Sequence, residues 1–168
     1  MNLIYISPDP PRDWDLYLYR CLGPAQAVDR SPRHTAALIS LKDFITPTEP
    51  ARDLCSQADV LIIQHDLVGA VLPAVQHWKA REKTVLVDIQ MSQEEMQPSA
   101  PGYPSWLQSL RQNGALDPGQ PHPALDTQFA WGLKLVDGAV TPTPRLEYQW
   151  RKHVSLHHHP SCLDLDHY

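Results

Sequence analysis

The chain has 168 residues, enough for one domain with a single core, and its formal net charge of -5 argues against a dedicated nucleic-acid binder, which needs a basic face. No apolar run approaches the roughly 20 residues that cross a bilayer. The first seven residues lack the basic region and long apolar core of a signal peptide and read as a first strand. Three cysteines, Cys21, Cys55 and Cys162, have no metal spacing and are odd in number, the pattern of reduced thiols in a cytoplasmic protein. With 17 prolines against 7 glycines, the connections are expected to be rigid rather than flexible phosphate-wrapping loops.

The first predicted strand, Asn2 to Ile6, stops at Pro8-Asp9-Pro10-Pro11, because prolines cannot donate to a sheet ladder. Asp13 is placed to cap a helix from about Trp14 to Cys21, and Gly23-Pro24 is expected to break it. Ala36 to Leu41 is a plausible second strand. Glu49-Pro50 opens a short helix to Gln57, with proline in the first turn. The apolar run Ala58 to Gln64, a helix from Val68 to Arg81 with its regular part starting near Pro73, and the apolar run Thr84 to Asp88 together make a βαβ unit. Strands apolar on both faces require helices on either side. Between Met91 and Pro123 six prolines break the pattern, with only Ser105 to Gln112 helical, and a loop so long in a compact domain is usually functional or mobile. A helix from Leu125 to Leu135, a strand from Ala139 to Thr141, a helix capped by Thr143-Pro144 running to about His153, and a last strand from Val154 to His157 complete the chain. The fold expected is a three-layer α/β/α Rossmann-like domain, residues 1–168, with a mostly parallel sheet of about six strands.

In such sheets ligands collect outside the carboxyl ends of the strands, so chemistry is sought just after Ile6, Gln64, Val87 and Val140. Asp88 stands at such an end. A buried carboxylate must meet solvent, a donor or a ligand, and a structural role in holding the next loop is equally open to it. His65 could contact an acceptor hydroxyl or act as a base; the plainer alternative is a polar loop with Asp66 capping the next helix. Asp9 and Arg12, with Asp13, suit a hydroxyl-rich ligand, although a proline-shaped polar loop needs nothing more. His157 and His159 could share one face of a strand, but zinc needs three or four converging ligands and only Asp164 or Asp166 is near in sequence, so no metal site is assigned. Trp78, Trp131 and Trp150 are expected to cover the sheet, and Trp106 either stacks on a sugar ring or pins the irregular segment to the core.

Three stretches resemble a known family. Tyr19-Arg20 with Pro24-Ala25, then Val71 to Lys79 with Lys83 to Asp88, then Ala130 to Thr143 with Leu146, Trp150 and Val154 are similar in order and spacing to the N-terminal Rossmann-like half of a GT-B glycosyltransferase of the retaining group related to glycogen and sucrose synthases. The resemblance implies a hexosyltransferase of carbohydrate biosynthesis, moving a glycosyl group from a nucleotide-sugar to an acceptor hydroxyl. This half would bind the acceptor, with Asp9, Arg12, Arg20, His65 and Asp88 as its candidate contacts. It implies that the donor, and any cofactor-like nucleotide contact, belongs to a C-terminal GT-B domain, and that residues 159–168 begin the hinge to it. The chain departs from the family in reading Asp88-Ile-Gln-Met91 where relatives carry successive aspartates, and in lacking a glycine in the loop after the first strand. The rival expectation is a stand-alone flavodoxin-like binding or regulatory module without catalysis. A nucleotide-dependent enzyme is disfavoured because neither G-x-G-x-x-G nor a P-loop follows Ile6.

Overall fold

A computed structural model describes residues 1–8, 17–119, 122 and 124–159. Six strands, β1 (Asn2–Ser7), β2 (Thr35–Ser40), β3 (Val60–Gln64), β4 (Thr84–Asp88), β5 (Gly138–Thr141) and β6 (Leu156–His158), form one sheet in the order β2-β1-β3-β4-β5-β6. Every neighbouring pair is parallel. Among the described residues seven α-helices connect them: α1 (Gly23–Asp29), α2 (Leu41–Ile45), α3 (Glu49–Gln57), α4 (Val71–Lys79), α5 (Tyr103–Gln112), α6 (Leu125–Gly132) and α7 (Pro144–Trp150). This is the Rossmann-like α/β/α arrangement expected from strands that are apolar on both faces. None of these helices is long and apolar enough to cross a membrane.

The strand order explains how the two faces are clothed. Parallel crossovers are right-handed, so the face that a connecting helix covers follows from the direction of the step along the sheet. Only the step from β1 to β2 runs backwards. Its helix, α1 with the turn before it, therefore lies on the opposite face from the rest. The packing agrees. Tyr5, Cys21 and Ala25 form a small cluster with Leu3, Tyr17, Ala36, Leu38 and Ile62. The other face carries the main core, in which Ile4, Ile6, Leu61, Ile63, Val85 and Val87 meet side chains from α2 through α7. The strand order reverses direction at β1, and the carboxyl ends of β1 and β3 beside that reversal are the usual ligand position in an open α/β sheet.

Several elements differ from expectation. Gly23-Pro24 does not end the helix there. The chain first makes a π-helical turn, Leu18–Leu22, in which Gly23 N–H reaches back to Leu18 O, and then continues as α1. In a regular helix the Pro24 ring would strike the carbonyl four residues earlier, and the wider turn relieves that conflict. A side chain at 23 would bring its Cβ to 3.0 Å from Leu18 O, so glycine fits there. The helix α2 was not expected; Ser40 Oγ caps it by accepting from Asp43 N at 3.0 Å. Trp131 is 45 % exposed and does not cover the sheet, whereas Trp78 and Trp150 are buried as expected. The proposed start of the first helix, Asp13 and Trp14, lies outside the described residues.

The segment between β3 and α4 passes close against the chain at Ala115. Ala70 N donates to Ala115 O at 2.8 Å and Gly69 N to Gln128 Oε1 at 3.0 Å. A Cβ on Gly69 would lie 2.0 Å from Ala115 O, and its φ of +56° is left-handed. Gly114 is also left-handed, at +73°, but opens on free space. Gly114→Ala should therefore cost only the left-handed strain of about 1–2 kcal/mol. Gly69→Ala should cost about 3 kcal/mol or more, because backbone must also move. Urea unfolding of the two variants checks the difference.

Candidate functional site

The candidate site is built at the carboxyl edge of the sheet, where three chain-distant segments meet. β4 ends in Asp88, which is 2 % exposed. The π-helical turn presents Arg20, also buried. Arg20 Nε donates to Asp88 Oδ2 at 2.8 Å and Nη2 donates to Oδ1 at 2.5 Å, a two-pronged pairing that matches the guanidinium fork to the carboxylate. Arg20 Nη1 donates to the carbonyl of His159, just past β6, at 2.7 Å. One side chain thus bridges the turn after β1, the end of β4 and the exit of β6. Asp88 Oδ2 also accepts from Gln90 Nε2 at 3.0 Å.

On the next strand, Gln64 is the register partner of Asp88, so the two side chains leave the same face of the sheet. His65 follows with φ of +62°, and Asp66 N donates back to Gln64 O at 2.7 Å. That is a three-residue turn centred on a non-glycine residue with positive φ, a conformation that costs of order 1–3 kcal/mol and collects at functional sites. His65 N donates to Asp88 O at 3.0 Å, which fixes the turn to β4. Its imidazole is 1 % exposed and lies between Phe129 (5.1 Å between ring centres) and Trp106 (5.8 Å). Phe129 continues to Trp150 at 5.1 Å, whose indole N–H donates to Met91 O at 3.1 Å. A file of rings therefore runs from the end of β3 to the loop after β4.

Asp66 does not cap the next helix. The N-cap position of α4 is Ala70, with no side-chain cap, and Asp66 Oδ1 instead accepts from Trp106 Nε1 at 2.8 Å. Of the two roles open to Trp106, the structure shows the pin: its indole is buried and anchors α5 to the end of β3. The loop after β4 is likewise tied down. Ser92 and Glu95 cap each other, Gln149 Nε2 donates to both Glu94 carboxylate oxygens, and Gln97 Nε2 donates to Asp126 Oδ2. Much of the long irregular segment is thus held against α6 and α7.

Of the five sequence candidates, Arg20, His65 and Asp88 are brought together; Asp9 and Arg12 lie outside the described residues. Gln64 and Gln90 were missed as site residues, though both flank the candidates, and an amide at each strand exit is a signal that could have marked them. His157, His158 and His159 are exposed, and His158 Nε2 lies 3.0 Å from Pro142 O. Among the described residues no three histidine, cysteine or acidic side chains converge as a metal site would need; Asp164 and Asp166 lie outside them.

Burial first, and then the nearby Asp88 carboxylate, push the Cys21 thiol well up; the Arg20 charge opposes this. Burial, then Cys21 and Asp88, raise Tyr5 in the same cluster. Cys55, away from the site, is pushed up to about 11 by burial. Neither thiol is set up as a nucleophile. No protein-family profile, curated protein or solved structure matches this chain.

Two outcomes are expected. Removing one member of a buried pair leaves a bare charge, so Arg20→Met should cost about 3–5 kcal/mol, and the double variant Arg20→Met, Asp88→Leu should recover most of it. A urea double-mutant cycle measures the coupling. Second, because Tyr5 and Cys21 are raised in the folded state, the stability they give is complete below their unfolded values and is lost as pH rises. The urea midpoint should fall above about pH 9, and less so in the Cys21→Ala variant.

Proposed function

We propose that this chain is the acceptor-side Rossmann-like domain of a two-domain glycosyltransferase, positioning an acceptor hydroxyl for a glycosyl group carried by a nucleotide-sugar on a C-terminal GT-B domain. The observation that carries this is the meeting of Arg20, His65 and Asp88 at the carboxyl edge. Arg20 and Asp88 belong to two of the stretches that resemble the family, and they form one ion pair although 68 residues separate them. That edge lies at the reversal of strand order, where a ligand is expected, and it carries a strained His65 turn. Alone, the domain transfers nothing.

One observation favours a second reading, a stand-alone binding or regulatory module. Asp88 is engaged by Arg20 and Gln90 on both oxygens, so it is not poised as a catalytic base. Titration of the chain with UDP-glucose and GDP-mannose, followed by calorimetry, tests the acceptor-side assignment. No detectable binding is expected. Micromolar affinity for either would overturn it, since the donor belongs to the other domain. Glucosyl transfer on addition of a donor-binding domain in trans would exclude the non-catalytic module.

A further inference from the structure

The sheet is not held equally across its width. β6 is an edge strand of three residues, paired among the described residues with β5 alone. His157 and His158 are exposed, and Leu156, half-buried, is the residue that β6 sends against the main core. The pairing with β5 includes Ala139 N donating to Ser155 O at 2.9 Å and His159 N donating to Thr141 O at 2.8 Å. A short edge strand with so little apolar burial opens more readily than the centre of a sheet. β3, by contrast, lies between two strands, with Leu61 and Ile63 fully buried.

At its exit β6 meets a bond of another kind. The His159 carbonyl accepts from Arg20 Nη1 at 2.7 Å, and a charged donor makes a hydrogen bond roughly twice as strong as a neutral one. Arg20 is not free to turn. Its Nε and Nη2 are both committed to the Asp88 carboxylate, and because the guanidinium is planar and stiff, those two bonds fix where Nη1 points. Asp88 ends β4, and β5 stands between β4 and β6, so the guanidinium joins strands about 10 Å apart. A shift that breaks the fork also turns Nη1 away from the His159 carbonyl, since hydrogen bonds weaken steeply with angle.

We propose that Arg20 is a strap between two parts of the sheet: while its fork holds Asp88, β6 stays closed on β5, and loss of the fork frees β6. The link runs both ways, so opening β6 loosens Arg20 on Asp88. It does not depend on the acceptor-side reading. The test is hydrogen exchange by NMR on the whole chain. The amides of Ala139 and His159 report on β6, those of Leu61 and Ile63 on the sheet centre, and the Arg20 Nε–H on the fork. Arg20→Lys keeps a positive charge beside Asp88 but cannot bond the carboxylate twice and the His159 carbonyl as well in one plane. It should speed exchange at Ala139 and His159 about tenfold, with a smaller change at Leu61 and Ile63. Leu156→Ala weakens β6 while leaving Arg20 and Asp88 in place, and it should speed exchange at Ala139, at His159 and at the Arg20 Nε–H. Leu156 is half-buried on an edge strand, so this variant carries the test if Arg20→Lys fails to fold. Equal acceleration of all four amides in Arg20→Lys, or none at Ala139 and His159, would overturn the strap and leave the ion pair a contributor to overall stability alone. An Arg20 Nε–H that keeps its original rate in Leu156→Ala would do the same.

Discussion

A guanidinium and a carboxylate cannot both be taken out of water unless each finds the other, and in this chain they do so across three segments of sequence. Arg20 comes from a π-helical turn, Asp88 from the end of β4, and the His159 carbonyl from the exit of β6. Around the pair the rest of the edge falls into place. Asp88 Oδ2 holds the Gln90 amide, and the Asp88 carbonyl holds His65 N–H, so its side chain and its backbone each order a neighbour. The π-helical turn, the turn after β3 and the exit of β6 thus share one anchor.

The sheet supplies the platform for this. A single backward step, β1 to β2, places α1 alone on one face and leaves the remaining helices on the other. The π-helical turn is the entrance to that solitary helix, which is why Arg20 lies on the same face as Tyr5, Gln64 and Asp88. Had the crossover run the other way, Arg20 would stand over the main core and could not reach Asp88. The wider turn before Pro24 belongs to the same geometry, since it lets a helix carrying a proline continue without interruption.

Much of this was legible in the sequence, for physical reasons. Runs such as Val60 to Gln64 and Thr84 to Asp88 are apolar on consecutive residues, which only a sheet covered on both faces accepts, and the fold class follows. That Asp88 must meet a partner followed from its position. Which partner it meets did not, because composition and periodicity act over one or two turns and Arg20 lies 68 residues away. The positive φ of His65 did not follow from its type alone: histidine enters that region more often than most residues, but still uncommonly, and here the turn is set by long-range contacts such as His65 N–H to Asp88 O. Trp131 misled because an apolar helix face was assumed around it, whereas Phe129 and Leu133 take the buried side and Trp131 points outward.

The energetics of the edge suggest what it is for. A buried ion pair is seldom better than well-packed apolar groups of the same size, and a left-handed histidine is worse than a relaxed one. Two amide oxygens, of Gln64 and Gln90, buried without donors among the described residues add to the deficit. The fold does not need any of these: its stability rests on a main core of aliphatic and aromatic side chains that stretches across five strands and six helices. Features that weaken a domain, gathered at the carboxyl edge where open α/β sheets place their ligands, are better explained by what they hold than by what they stabilise. Their common property is a set of polar atoms oriented around one buried ion pair.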